Sequence, residues 1–144
     1  ISEWDGPSTV LRLAGIYGPT RHYLLDQVRE RPTELPGRPE HYLNLIHLED
    51  ILSAIWCVGR ADKPLTRSAY NVVDDGRATR GEIVAWLADR LKLPLPFFAG
   101  TVTPGRRAVR PNRIITNSNL KAELGWRPLY PTFREGYADL LLGA

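Results

Sequence analysis

Thr9-Val10-Leu11-Arg12-Leu13-Ala14-Gly15-Ile16, closed by Tyr17-Gly18-Pro19, is the strongest strand signal in the chain. It is apolar almost throughout, partly β-branched, and set between the turn signals Gly6-Pro7 and Gly18-Pro19. A strand with one wet face alternates apolar and polar residues. A near-continuous apolar run instead predicts a strand covered on both faces, as in a parallel sheet flanked by helices.

Working outward, the next segments alternate between helical and extended patterns. Leu24, Leu25 and Val28 recur at helical spacing between His22 and Arg31, and Pro32 stops them. A proline-rich loop over 33–40 leads into a short extended stretch, Tyr42 to Ile46. Ile51, Leu52, Ile55, Trp56 and Val58 then fall on one side of a helix that ends at Gly59, with Glu49 and Asp50 at its electropositive start. Ser68 to Val73 reads as a second buried strand, and Asp74-Asp75-Gly76 as its turn. Thr79-Arg-Gly-Glu82 has capping-box spacing, so a helix starts there, carries Ile83, Trp86, Leu87 and Leu91 on its apolar face, and stops at Pro94. Leu93 to Phe98 contains two prolines that remove ladder donors, which makes it an extended edge segment. Asn117 or Ser118 caps a helix through Leu124 that stops at Gly125, and Thr132-Phe-Arg-Glu135 is a second capping box for a terminal helix. Strand and helix alternate, so the expected class is α/β with parallel strands joined by crossovers.

The bulk numbers fit one packed domain over 1–144. The chain has 144 residues, 43% hydrophobic and 24% charged, with a formal net charge of only +3. That balance is too mixed for a nucleic-acid-coating protein even at a sequence pI near 9.2. The one cysteine, Cys57, excludes an internal disulfide framework and suits a reducing compartment, so the expected location is cytoplasmic. No apolar run approaches the roughly 20 residues that span a bilayer, and no signal-peptide pattern opens the chain. Three histidines and one cysteine without ligand spacing argue against a metal site. The dispersed Trp4, Trp56, Trp86 and Trp126 suit core or interface positions better than a base-stacking platform.

Four stretches, in order, resemble the second half of extended or atypical short-chain dehydrogenase/reductases of the NAD-dependent epimerase/dehydratase family. They are Leu11-Arg-Leu-Ala-Gly-Ile-Tyr-Gly-Pro19, Asn44-Leu-Ile-His-Leu-Glu-Asp50, Tyr70-Asn-Val-Val-Asp-Asp75 and Leu124-Gly-Trp-Arg-Pro128. The continuation Tyr130-Pro-Thr-Phe-Arg-Glu-Gly136 is closest to the atypical branch. The resemblance implies a two-part enzyme: a Rossmann half that binds NAD or NADP, and a C-terminal half that shapes the substrate pocket. The expected fold is therefore a partial Rossmann-like parallel sheet with flanking helices, the C-terminal, substrate-side portion without the dinucleotide-binding half. No G-x-G-x-x-G occurs in these residues, so there is no loop-to-helix cradle for a pyrophosphate. No tyrosine is followed four positions later by lysine, so the family's acid/base pair is absent too. The chain alone is expected to bind no cofactor and to carry no catalytic residue. The chain also contains no methionine and begins at Ile1, and the missing N-terminal half is the expected upstream partner.

The corner Tyr17-Gly18-Pro19 lies at the carboxyl end of a predicted parallel strand, where open α/β sheets present ligands, and in similar proteins it packs near the nicotinamide. It has two readings, a cofactor contact or a turn that merely ends a strand. Arg21 and Asn44 are candidates for the pocket mouth, with a solvated first helical turn the plain reading of Arg21 and His22. His47 reads as a hydrogen-bonded structural histidine ahead of a general base. Arg106, Arg107, Arg110 and Arg113 form a basic segment whose guanidinium forks suit phosphate oxygens, and similar enzymes hold a nucleotide-sugar diphosphate from this region. The competing reading is a solvated loop. Ile114 and Ile115 stand near where the atypical branch shows a further basic residue, a departure that bears on the substrate class.

Three functions follow. The first is the substrate-binding part of an NAD(P)-dependent epimerase, dehydratase or reductase acting on a sugar nucleotide or related small molecule. The second is a non-catalytic binding or oligomerisation module that keeps the fold, in which apolar surface left open beside Leu11 is a route to a homodimer. The third, ranked last, is a small nucleic-acid binder.

Overall fold

A computed structural model describes residues 8–100 and 112–143. Strand β1 (Val10–Leu13) is followed by β2 (Gly15–Tyr17), α1 (Tyr23–Arg29), β3 (Glu34–Leu35), β4 (Leu45–His47), α2 (Leu48–Gly59) and β5 (Ala69–Val72). Then come α3 (Arg80–Leu91), β6 (Phe97–Phe98), α4 (Ser118–Leu124) and α5 (Phe133–Leu142). Every named strand pair is parallel: β1 with β5, β2 with β4, β3 with β6. Leu11 lies opposite Tyr70 and Leu13 opposite Val72, so the two predicted strands do run side by side. The α/β class and the parallel, crossover-linked architecture are as the sequence indicates.

Two expectations about the stretch from Thr9 to Ile16 need correction. It forms two strands, not one: Ala14 N–H donates to Val72 O at 3.0 Å and Gly15 N–H to Asn44 O at 2.9 Å, so the chain changes partner from β5 to β4 at that point. Nor is it covered on both faces, since Val10 is 58% exposed and Leu13 43%. Apolar character marks a strand that can be covered; it does not say by what.

Two apolar clusters hold the elements together. Tyr17, Leu25, Val28, Ile83, Leu87, Phe133 and Tyr137 form one, joining β2 to α1, α3 and α5. Ile46, Ile51, Ala54, Tyr70, Val72, Leu120 and Trp126 form the other, joining β4 and β5 to α2 and α4. Each fully buried leucine or isoleucine contributes about 1.5–3 kcal/mol relative to exposure.

The helix starts are largely as the sequence dictates. Thr79 and Glu82 form the capping box of α3, and Thr132 and Glu135 that of α5. α4 ends at Gly125 in the left-handed region, whereas α3 ends at Lys92, two residues before Pro94. Asn117 precedes α4 but does not cap it with its side chain. Of the tryptophans, Trp126 is buried and donates Nε1–H to Ser53 at 2.8 Å, while Trp56 is 65% exposed. The outer face of α2, with Leu52 and Ile55, is exposed as well, so its predicted apolar side splits into a packed row through Ile51 and Ala54 and an open row beside it. Trp4 lies outside the described residues. No helix among the described residues is long and apolar enough to cross a membrane.

Candidate functional site

Parallel strands present their carboxyl ends on one side, and here these ends deliver Tyr17 from β2, His47 from β4 and Asp74 just beyond β5. Asp74 N–H donates to Leu45 O at 2.8 Å, which ties the end of β5 to β4. The Tyr17 ring meets His47 edge-on at 5.2 Å and Tyr137 at 4.9 Å, and His47 packs on Tyr130 at 4.0 Å. His47 also caps α2: its Nδ1 accepts from Glu49 N–H at 3.3 Å, which leaves the second ring nitrogen, Nε2, to carry the proton of a neutral ring. Asp50 accepts N–H groups from Leu129 at 2.5 Å and Tyr130 at 3.2 Å, fixing the segment that leads into α5.

These ionisable groups are desolvated. Tyr17 is 2% exposed, His47 1%, Asp50 0% and Asp74 5%. Burial, aided by the Asp74 charge, drives the Tyr17 hydroxyl far above its ordinary range. Burial lowers His47 and raises Asp50, in the latter case against the hydrogen bonds from Leu129 and Tyr130. Asp74 is pushed up to about 7, chiefly by burial, and the N–H of Gly76 on its Oδ1 at 3.0 Å only partly offsets this. Tyr17 Oη and His47 Nε2 have no hydrogen-bond partner among the described residues. A cluster of shifted groups at a sheet end is the pattern of a reaction centre. With so little surface, however, these side chains meet one another and not a molecule arriving from solvent.

Beside the cluster, Asp75 accepts Asn117 Nδ2–H at 2.8 Å and both its oxygens accept Lys121 Nζ–H at 2.6 Å. Burial raises its carboxyl, but Lys121 and Asn117 outweigh that and hold it below the ordinary carboxylate range. Asn117 Nδ2 also donates to Val73 O at 2.8 Å, anchoring the carboxamide at the end of β5.

The sequence-predicted residues do not come together at one place. Tyr17 is a core residue. Gly18 exchanges two backbone hydrogen bonds with Arg21, at 2.9 and 3.0 Å, so its N–H and C=O are both spent on the turn. Gly18 also packs against the start of α2, where a Cβ would lie 3.1 Å from Leu48 Cβ. Pro19, Arg21 and Arg113 are exposed on the surface. Asn44 spends its whole carboxamide on the backbone: Nδ2 donates to Arg113 O at 3.0 Å and Oδ1 accepts from Ile115 N–H at 2.7 Å. Asn112 reciprocates, accepting Tyr42 N–H at 2.8 Å and donating to Glu40 O at 3.4 Å. Arg107 and Arg110, like Arg106, lie outside the described residues.

Sequence reasoning missed the buried role of Asp50 and Asp74. Asp50 sits in the first turn of α2, where a carboxylate already has a reason to be, and Asp74 sits in a turn; neither position signals burial. Asn112 was missed because its partners are some 70 residues away. Among the described residues no group of three His, Cys, Asp or Glu side chains is placed to hold a metal ion.

No protein-family model matches the chain. It is 31% identical over 131 residues to Protein YeeZ of Escherichia coli strain K12, an alignment that takes in 85% of this chain and 40% of YeeZ. A solved structure from Methylobacillus flagellatus, assigned as an NAD-dependent epimerase/dehydratase, superposes with a TM-score of 0.70 at 29% identity, over 94% of this chain and 47% of that one. UDP-glucuronic acid 4-epimerase from Bacillus cereus, solved with UDP-glucuronic acid and NAD, superposes with a TM-score of 0.76 at 15% identity, over 99% of this chain and 48% of that one, a likeness of fold. The chain spans about two fifths of the curated relative and about half of each solved structure. This similarity in sequence and fold, over about half of each solved chain, is consistent with a C-terminal half of the NAD-dependent epimerase/dehydratase family.

Proposed function

We propose that these residues are the substrate-side part of an NAD(P)-dependent epimerase, dehydratase or reductase, incomplete as a catalyst without a cofactor-binding half. The observation that carries this reading is strand β1. It lies parallel to β5 on one side, pairs with no other strand among the described residues, and leaves Val10 and Leu13 exposed. A further parallel strand added there would extend the sheet toward a Rossmann half. The residues themselves supply neither a glycine-rich phosphate turn nor a Tyr-x-x-x-Lys pair. At the corner nearest a nicotinamide in similar proteins, Tyr17 is buried and the Gly18 backbone is committed, so the exposed Pro19 is what remains for a cofactor to touch.

The substrate class is a sugar nucleotide or a related small molecule. Support comes from the Bacillus cereus epimerase, which was solved with UDP-glucuronic acid and NAD. Arg113, held in place by Asn44, and Arg107, Arg110 and Arg21 are the cations we assign to its phosphates. The test is calorimetric titration of the 144-residue chain with NAD and with NADPH. No saturable binding up to millimolar cofactor is expected, and submillimolar binding of either would overturn the proposal.

A second reading, a binding or self-assembly module without chemistry, is favoured by the exposed Leu52, Ile55 and Trp56 on α2. Sedimentation over a wide concentration range discriminates: a concentration-dependent homodimer that Trp56→Ser abolishes supports it, and a monomer throughout rejects it.

A further inference from the structure

At the amino-terminal end of β5, away from Tyr17, His47 and Asp74, a cleft of about 450 Å³ opens between Arg12, Thr66, Arg67, Ser68, Asn71 and Asn119. We propose that this cleft is an anion site that takes a phosphate group.

Each of those side chains carries a hydrogen-bond donor, with the Thr66 hydroxyl spent on Glu123 and an Asn71 Nδ2–H on Thr116 O at 3.4 Å; Ala69 completes the lining, which holds no carboxylate. Arg12 and Asn71 are register partners on β1 and β5, so their side chains leave the sheet on the same face. Arg67 reaches the cleft from the segment that enters β5. Neither arginine makes a salt bridge among the described residues. Glu123 does not line the cleft but bonds Thr66 at its rim. Its carboxylate accepts the N–H of Thr66 at 2.5 Å and the Thr66 hydroxyl at 2.8 Å. Two like charges thus share a cavity of ligand size with no counter-charge inside it. A carboxylate is satisfied by one guanidinium fork, whereas a tetrahedral phosphate has oxygens for two forks approaching from different segments. That geometry favours phosphate over carboxylate. The proposal does not rest on the cofactor reading, because it concerns the opposite end of the strands and needs no second half.

Titration of the chain with inorganic phosphate and, separately, with acetate at constant ionic strength, followed by amide chemical shifts, tests it. Phosphate is expected to give saturable shifts at Arg12, Arg67, Ser68 and Asn71 and to bind more tightly than acetate. Arg12→Gln and Arg67→Gln are each expected to weaken phosphate about tenfold or more, the loss that follows from removing one charge-assisted contact. Should either variant fail to fold, Arg12→Lys or Arg67→Lys keeps the charge, loses the fork, and is expected to weaken binding as well. Non-saturating shifts, shifts confined to other arginines, equal affinity for acetate, or wild-type affinity in the variants would each overturn the assignment.

Discussion

The two ends of the parallel strands are opposite kinds of surface. At the carboxyl ends, ionisable side chains are packed inside the chain: Tyr17, His47, Asp50 and Asp74 each expose 5% or less. At the amino end of β5, Arg12 and Arg67 stand in an open cleft with polar neighbours and water for solvation. A charge that stays hydrated costs little and remains free for a ligand. One that is buried must be neutralised or hydrogen-bonded, and it then governs stability. Burial at the closed end is where this fold spends stability, whereas Arg12 and Arg67 at the open end lie on the surface and line a cleft.

The sharpest way to break that contrast is to crowd the closed end. A Cβ at Gly136 of α5 would overlap the Tyr17 hydroxyl and ring. Gly136→Ala gains at most about 1 kcal/mol of helix propensity. Overpacking a ring fixed between His47 and Tyr137 outweighs it, and a net loss of about 3 kcal/mol is expected. Urea unfolding measures this, and an unchanged midpoint would show the closed end to be loosely packed.

Asp74→Asn comes next and carries a pH signature. Because its folded pKa is raised from 3.8 to about 7, the native state holds this proton more tightly than the unfolded chain. Stability is therefore lost as pH rises from about 4 to about 7, and the cost is complete above that window. The displacement sets a ceiling of about 4 kcal/mol. Asn removes the charge and keeps an acceptor for Gly76 N–H. The variant is expected to match the wild type near pH 4 and exceed it by about 2–4 kcal/mol at pH 8. Thermal melts at both pH values decide, and a pH-independent difference would refute the buried-carboxyl account.

Asn44→Ala probes the seam between Asn44 and residues 113–115. It removes two hydrogen bonds to backbone groups, and a loss of about 1–2 kcal/mol is expected, read from denaturant midpoints. Faster amide exchange at Ile115 is expected alongside it. Wild-type stability and exchange would return Asn44 to the list of ligand contacts.

The smallest effect belongs to the open end. Arg12→Gln is expected to change stability by no more than about 0.5 kcal/mol, because the side chain is exposed and in no salt bridge among the described residues. A large loss there would make Arg12 structural and erase the contrast between the two ends.

How much was legible follows the range of each signal. The capping boxes at Thr79 and Thr132, and the stop at Gly125, are contained within four or five residues and came out as read. The parallel pairing of the strands at Leu11 and Val72 came from apolar patterning and alternation with helices, because a crossover between neighbouring strands leaves few alternatives. The split of the first strand at Ala14 could not be read, since it depends on β4 and β5 offering partners in turn. Of the candidate site, Tyr17 was placed at the right end of the right strand, but its side chain points into the core. The Asn44 amide bonds the backbone of residues 113–115, a role the sequence does not show, because a side-chain amide serves a ligand and a backbone equally well.

Neighbouring residues suffice for the α/β class, the order of the helices, most helix ends, and the absence from these residues of a glycine-rich phosphate turn and a Tyr-x-x-x-Lys pair. Which charges are buried, which amides serve the backbone, and which flank of β1 is unpaired among the described residues are settled by packing. Those properties depend on which distant surfaces meet, and desolvation and hydrogen bonding act between groups that chain order does not bring together.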